Sequence, residues 1–133
     1  MFRLRSAPQT HLTPLEMLVM DHVWTRADTT AEACREAVAG QRVLKESTVR
    51  TVLHNLEQKG YVKHRVEGRT YVYRAVETKR SAAVRATQQI IDRFCEGSAK
   101  ELLIGLVDNC VLTPGQLQRL AAEIQAAKKE KKS

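Results

Sequence analysis

The chain has 133 residues, 43% of them hydrophobic and 28% charged, with a net charge of +7 and a pI of about 9.6. That length suits one ordinary domain, or one small domain plus an appendage, and no run approaches the ~18–20 apolar residues of a membrane span. Three cysteines (Cys34, Cys95 and Cys110), none at C-x-x-C spacing, argue against a disulfide framework and for a reducing, cytoplasmic setting, with a buried thiol expected at each.

Residues 1–12 read as a flexible polar leader; Arg3 and Arg5 are followed by no apolar core, so a signal peptide is not expected. Thr13-Pro14-Leu15-Glu16 is a helix start, with a capping threonine, proline at the first helical position and a glutamate that completes a capping box. Leu15, Leu18, Val19, Val23 and Trp24 give this helix a core face, and it should end near Arg26. Thr29-Thr30-Ala31-Glu32 offers a second capping box, opening a helix from about Ala31 to Gly40 with Ala33, Cys34, Ala37 and Val38 inside.

The third helix, from about Glu46 to Lys59, carries the most information. Val49, Val52, Leu53 and Leu56 fall at i, i+3, i+4 and i+7, one apolar stripe. Away from the stripe lie Ser47, Arg50, Thr51, His54 and Gln58, with Thr48 and Asn55 on the flanks, all hydrogen-bonding groups and none a carboxylate. Gly60 stops the helix. Two alternating β-rich runs follow around Glu67-Gly68-Arg69, the pattern of a hairpin. Tyr71 and Tyr73 are expected in its core. Between residues 42 and 74, eight basic side chains (Arg42, Lys45, Arg50, Lys59, Lys63, Arg65, Arg69, Arg74) face three acidic ones (Glu46, Glu57, Glu67). A local surplus of this kind is the electrostatic footprint of polyphosphate binding. Helix, helix, helix, basic hairpin is the order of a winged helix-turn-helix, expected over residues 13–76.

The remainder reads as helical. One helix runs from Thr78 to about Cys95. Ser98-Ala99-Lys100-Glu101 and Thr113-Pro114-Gly115-Gln116 open two more. Their apolar stripes are too small to make a core alone, so residues 77–127 are expected to form a helical dimerisation region. A twofold dimer would set two reading helices one DNA turn (roughly 34 Å) or more apart, matching a palindromic site. Residues 128–133 read as a disordered basic tail. The fold class is therefore mainly α with a small β-hairpin.

Several of these segments together resemble the penicillinase-repressor family of bacterial transcriptional regulators. The resemblance is carried by Leu12 through Trp24, then Ser47-Thr48-Val49-Arg50-Thr51-Val52-Leu53, then Leu56 through Val62, then the wing from Glu67 to Tyr73. It implies a homodimeric repressor that reads a palindromic double-stranded DNA operator. Carried onto these positions, Ser47, Thr48, Arg50, Thr51 and Asn55 would face the major groove, and Lys63, Arg65 and Arg69 would lie near phosphates or the minor groove. Arg50 is the expected guanine reader, because its fork matches both acceptors on that edge. Many relatives have arginine where Asn55 stands.

Departures matter as well. Copper-sensing relatives carry C-terminal C-x-C pairs, and soft thiolates are what copper(I) needs; here no cysteine follows Cys110, so no metal or other cofactor is expected. Relatives that answer β-lactams are cleaved through a membrane zinc-metalloprotease, at an Asn-Phe bond in the helix matching Lys100 to Asn109. The equivalent pair here is Gly105-Leu106. An enzyme is not expected, and no catalytic residue is assigned: His11, His22, His54 and His64 are scattered, and none pairs with a cysteine or carboxylate at ligand or triad spacing. The other readings are a winged-helix regulator of the MarR-like class, which usually has a dimerisation helix upstream of the winged helix, and a winged helix used for protein–protein contact.

Overall fold

The computed structural model describes residues 11–132, so most of the expected leader lies outside the described residues. The elements in order are α1 (Pro14–Val23), α2 (Ala31–Val38), α3 (Glu46–Gln58), β1 (Val62–Glu67), β2 (Thr70–Ala75), α4 (Lys79–Phe94), α5 (Ala99–Asp108) and α6 (Pro114–Lys132). They group into two units, one up to Ala86 and one from Thr87 onward.

The first unit is built on the third-helix stripe. Val49, Leu53 and Leu56 are fully buried, and Val52 nearly so. They meet Val19, Met20 and Val23 of α1, and Cys34 of α2. Burying a leucine or valine side chain stabilises by about 1.5–3 kcal/mol relative to leaving it in water, so this stripe is what seats α3. The capping box at Thr13 and Glu16 forms as expected, with Glu16 N–H donating to Thr13 Oγ1 (3.1 Å) and Thr13 N–H to Glu16 Oε1 (2.9 Å). Glu16 also does something the sequence did not suggest. It is buried and takes a hydrogen bond from Lys59 Nζ at 2.7 Å, joining the start of α1 to the end of α3. Burial alone would push the Glu16 carboxyl up, but the hydrogen bonds from Lys59 and Thr13 outweigh it and hold the group below its ordinary value.

Helix α3 ends in a Schellman motif. Tyr61 N–H donates to Leu56 C=O (2.9 Å) and Gly60 N–H to Glu57 C=O (3.0 Å), with Gly60 at φ +89°. The accompanying apolar contact is between Tyr61 and Leu56, both in the core. This motif aims the chain into β1. β1 and β2 pair antiparallel from Val62↔Ala75 to Glu67↔Thr70, which leaves Gly68-Arg69 as a two-residue turn with Gly68 at φ +64°. Thr29, before α2, adds a bridge to the free edge of β2: its N–H donates to Tyr73 C=O (2.9 Å) and Tyr73 N–H donates back (2.7 Å).

That bridge corrects the start of α2. Thr30, not Thr29, is the cap, its side chain accepting from Ala33 N–H at 3.1 Å, because Thr29 is committed to the sheet edge. Ala37 is exposed rather than inner. The first unit also extends past Val76. Trp24 Nε1–H donates to Glu77 C=O (3.2 Å), the Arg85 guanidinium lies 4.9 Å from the Tyr61 ring centroid, and Ala82 is buried. The opening turns of α4 are thus part of the winged-helix core.

The second unit holds the end of α4 with α5 and α6. Ser98 caps α5, accepting from Glu101 N–H (3.3 Å), and Thr113 with Gln116 makes a reciprocal box at α6. α6 continues to Lys132, so the expected disordered tail is helix through that residue. Lys and Glu are good helix formers, and extending an existing helix needs no new nucleus. Cys95 is half-buried and Cys110 exposed, against the expectation of buried thiols; Cys34 is buried, and burial pushes its thiol up to about 11.

Candidate nucleic-acid interface

The stripe that buries one side of α3 leaves the other side facing outward. Ser47, Arg50, Thr51 and Asn55 are exposed, and Thr48 is half-buried. The Thr51 hydroxyl donates back to Ser47 C=O at 3.1 Å, so its lone pairs face outward as acceptors. Arg50 Nη2 meets Glu46 Oε2 at 2.7 Å, one turn earlier, while the arginine side chain stays 67% exposed. Surface pairs at i,i+4 contribute only about 0.3–0.5 kcal/mol, so this fork is easily released to a better partner.

Between α2, α3 and the hairpin lies an open groove of about 780 Å³. Arg50, His54 and Glu46 line it from α3, Arg69 and Tyr71 from the hairpin, and Glu32 and Glu36 from α2. Tyr71 is half-exposed, whereas Tyr73 is buried as expected. The two lie on one face of β2, but that face reaches beyond the core beneath it. Tyr71 therefore stacks on His64, with ring centroids 4.4 Å apart and planes nearly parallel. The His64 Nδ1 lies 2.8 Å from each oxygen of Glu57, which ties the hairpin to α3.

The expected basic surplus is not all available. Lys59 is spent on Glu16. Arg65 donates Nη1–H and Nη2–H to the two oxygens of Asp28 (3.1 and 3.3 Å) and Nε–H to Glu67 (2.6 Å). Lys63 and Arg69 are exposed, with no carboxylate partner among the described residues. Glu46, His54 and Tyr71 join the groove although site reasoning left them out. His54 could have been found, since it lies on the same outer face as Arg50 and Thr51.

Gly105 and Leu106 lie in the other unit, inside α5 and both half-buried. The Gly105 carbonyl accepts from Asn109 N–H (3.1 Å) and from Asn109 Nδ2 (2.8 Å). Among the described residues, no group of three His, Cys, Asp or Glu side chains could hold a metal ion, and no helix is long and apolar enough to cross a membrane.

Three helices followed by a two-stranded hairpin, with the third helix presenting a polar face beside a cationic hairpin tip, define a winged helix-turn-helix protein. The penicillinase-repressor family profile matches residues 12–126. The chain belongs to the penicillinase-repressor family, whose members are transcriptional regulators and not enzymes. It is 32% identical to the transcriptional regulator BlaI of Mycobacterium tuberculosis over 126 residues, covering 90% of this chain and 89% of that one. It is 21% identical to the penicillinase repressor of Bacillus licheniformis, covering 97% and 99% of the two chains. The solution structure of the DNA binding domain of the repressor BlaI is also similar, with a TM-score of 0.48 and 24% identity over 57% of this chain and 90% of that one.

Proposed function

We propose that this chain is a cytoplasmic, homodimeric repressor that reads a palindromic operator with α3 in the major groove. The observation that carries the reading is the outer face of α3. Its exposed hydrogen-bonding side chains stand beside a groove whose hairpin rim carries Arg69. Ser47, Thr48, Arg50, Thr51 and Asn55 face the bases, with Arg50 leaving Glu46 to take a guanine edge. Lys63 and Arg69 hold phosphates and set register. The second unit supports dimerisation, since Phe94 is 80% exposed and Leu120 and Ile124 are about half exposed, more apolar surface than a small helical unit leaves in water without a partner.

Induction acts through the same region. A membrane zinc-metalloprotease is the proposed partner, and the Gly105–Leu106 bond the proposed cut. Gly105 costs the helix about 1 kcal/mol relative to Ala, and α5 has no fully buried residue to anchor it. Local opening at this bond is therefore cheap.

Binding to labelled genomic fragments, followed by selection of the tightest sequences, tests the DNA reading. The expected result is a palindrome bound with an affinity that falls steeply as salt rises. Equal affinity for all duplexes would overturn the operator reading, and no binding at all would favour a winged helix used for protein contact. Cutting an engineered protease site after Gly105 should abolish tight operator binding. Unchanged affinity of the cut protein would remove the proteolytic step.

A further inference from the structure

Arg65 sits on the hairpin with its guanidinium turned away from the groove. The alternation along β1 puts His64 on the face that meets Glu57 of α3, and Arg65 on the opposite face. There it meets Asp28, in the loop between α1 and α2, through two parallel N–H···O bonds, and Glu67 of its own strand through Nε. The next residue along the loop is Thr29, whose backbone is bonded in both directions to Tyr73 of β2. Arg65 with its two carboxylates and the Thr29–Tyr73 bridge therefore act on one short stretch of loop.

We propose that Arg65 is a positioning residue rather than a DNA contact: its bidentate bond to Asp28 clamps the hairpin to the α1–α2 loop and thereby sets where Lys63 and Arg69 meet the phosphates. The inference rests on the DNA-binding reading above. Two carboxylates engage Nε, Nη1 and Nη2 of Arg65 together, whereas Arg50 meets one carboxylate through Nη2 alone, so a phosphate would have to displace both. The hydrogen bond from Arg65 holds the Asp28 carboxyl below its ordinary range, and the Asp28 and Glu67 carboxylates push the arginine further up. An exposed ion pair adds little to global stability. What this one supplies is geometry. The hairpin is held from both faces, by His64 to α3 and by Arg65 to the loop.

The test compares Arg65→Gln, Arg65→Lys and Asp28→Asn in the full chain. Lysine keeps the charge but cannot engage two carboxylates with a planar fork. For a clamp, all three variants should weaken binding to a labelled mixed-sequence duplex by about two- to fivefold, and the amides of Thr29 and Tyr73 should exchange faster with solvent while those of α1 are unchanged. For a phosphate ligand the pattern differs: Arg65→Lys binds like the parent, and Asp28→Asn binds more tightly by freeing the arginine. Either of those results would overturn the clamp, as would unchanged exchange at Thr29 and Tyr73. If the parent protein binds no duplex, the DNA reading fails, and the exchange data alone decide the clamp.

Discussion

The two units of this chain spend their apolar side chains differently. The first closes a core around α3, with Val19, Met20, Val23, Cys34, Val49, Leu53 and Leu56 fully buried. The second has capped starts at α5 and α6 but leaves Phe94, Val111 and Ile124 more than half exposed. Both have good local helix signals, so local propensity does not explain the difference. What separates them is that α1, α2 and the hairpin close over the stripe of α3, whereas α5 has no buried residue among those described. A winged helix is complete as one copy. The dimer proposed above would cover the exposed apolar side chains of the second unit.

Breaking that surface should have the largest effect. Leu120→Lys places a charge among the exposed apolar residues of α6 and should convert a dimer to monomer by light scattering. Loss of the intramolecular second contact should then lower operator affinity by about 10²–10⁴-fold. A monomeric parent protein at micromolar concentration would refute the contrast between the units. The converse substitution lies in the closed unit. Leu53→Ala should cost about 2–5 kcal/mol of its unfolding free energy, read by urea titration, because Leu53 is fully buried in the cluster that α1, α2 and α3 build.

A surface change on the same helix should be smaller and of another kind. Arg50→Ala should leave stability nearly untouched while costing about 1–3 kcal/mol of specific binding and relaxing one base position in each half-site. Arg69→Ala should instead weaken specific and non-specific binding alike. An unchanged ratio of specific to non-specific affinity in Arg50→Ala would remove its reading role.

The smallest expected effect is an acid limb. Glu16 is held below its ordinary value of 4.5 in the folded state, so its contribution is fully present above that value and is lost as pH falls through its lower folded value. Glu16→Gln should lose about 1 kcal/mol at neutral pH and show a shallower loss of stability on acidification. Parallel pH profiles for the two proteins would show that titration of Glu16 does not contribute to the acid limb.

Much of the fold was legible because its signals are short. A capping box spans four residues, as at Thr13–Glu16, and a Gly60 stop or a Gly68 turn needs one. The α3 stripe spans two turns and predicts its own burial. From these, the third helix, the hairpin and the outer residues Ser47, Arg50 and Thr51 follow without coordinates, with Asn55 read on the flank. Tyr71 was not legible in this way. Period two assigns it to the same face as Tyr73, but whether that face is covered depends on how far α3 extends beneath it.

By itself, then, the sequence determined the elements, their order and the polar face of α3, because each depends on residues within about two turns of one another. Only the tertiary structure decided which distant charges pair with one another. Lys59 pairs with Glu16 across 43 residues of sequence, and Arg65 with Asp28 across 37. No local pattern encodes such pairs. They exist because packing the α3 stripe brings the end of one helix to the start of another, and because the Thr29–Tyr73 bridge brings the loop to the hairpin. The count of basic residues was a property of the chain, but which of them meet a distant carboxylate was set by the fold.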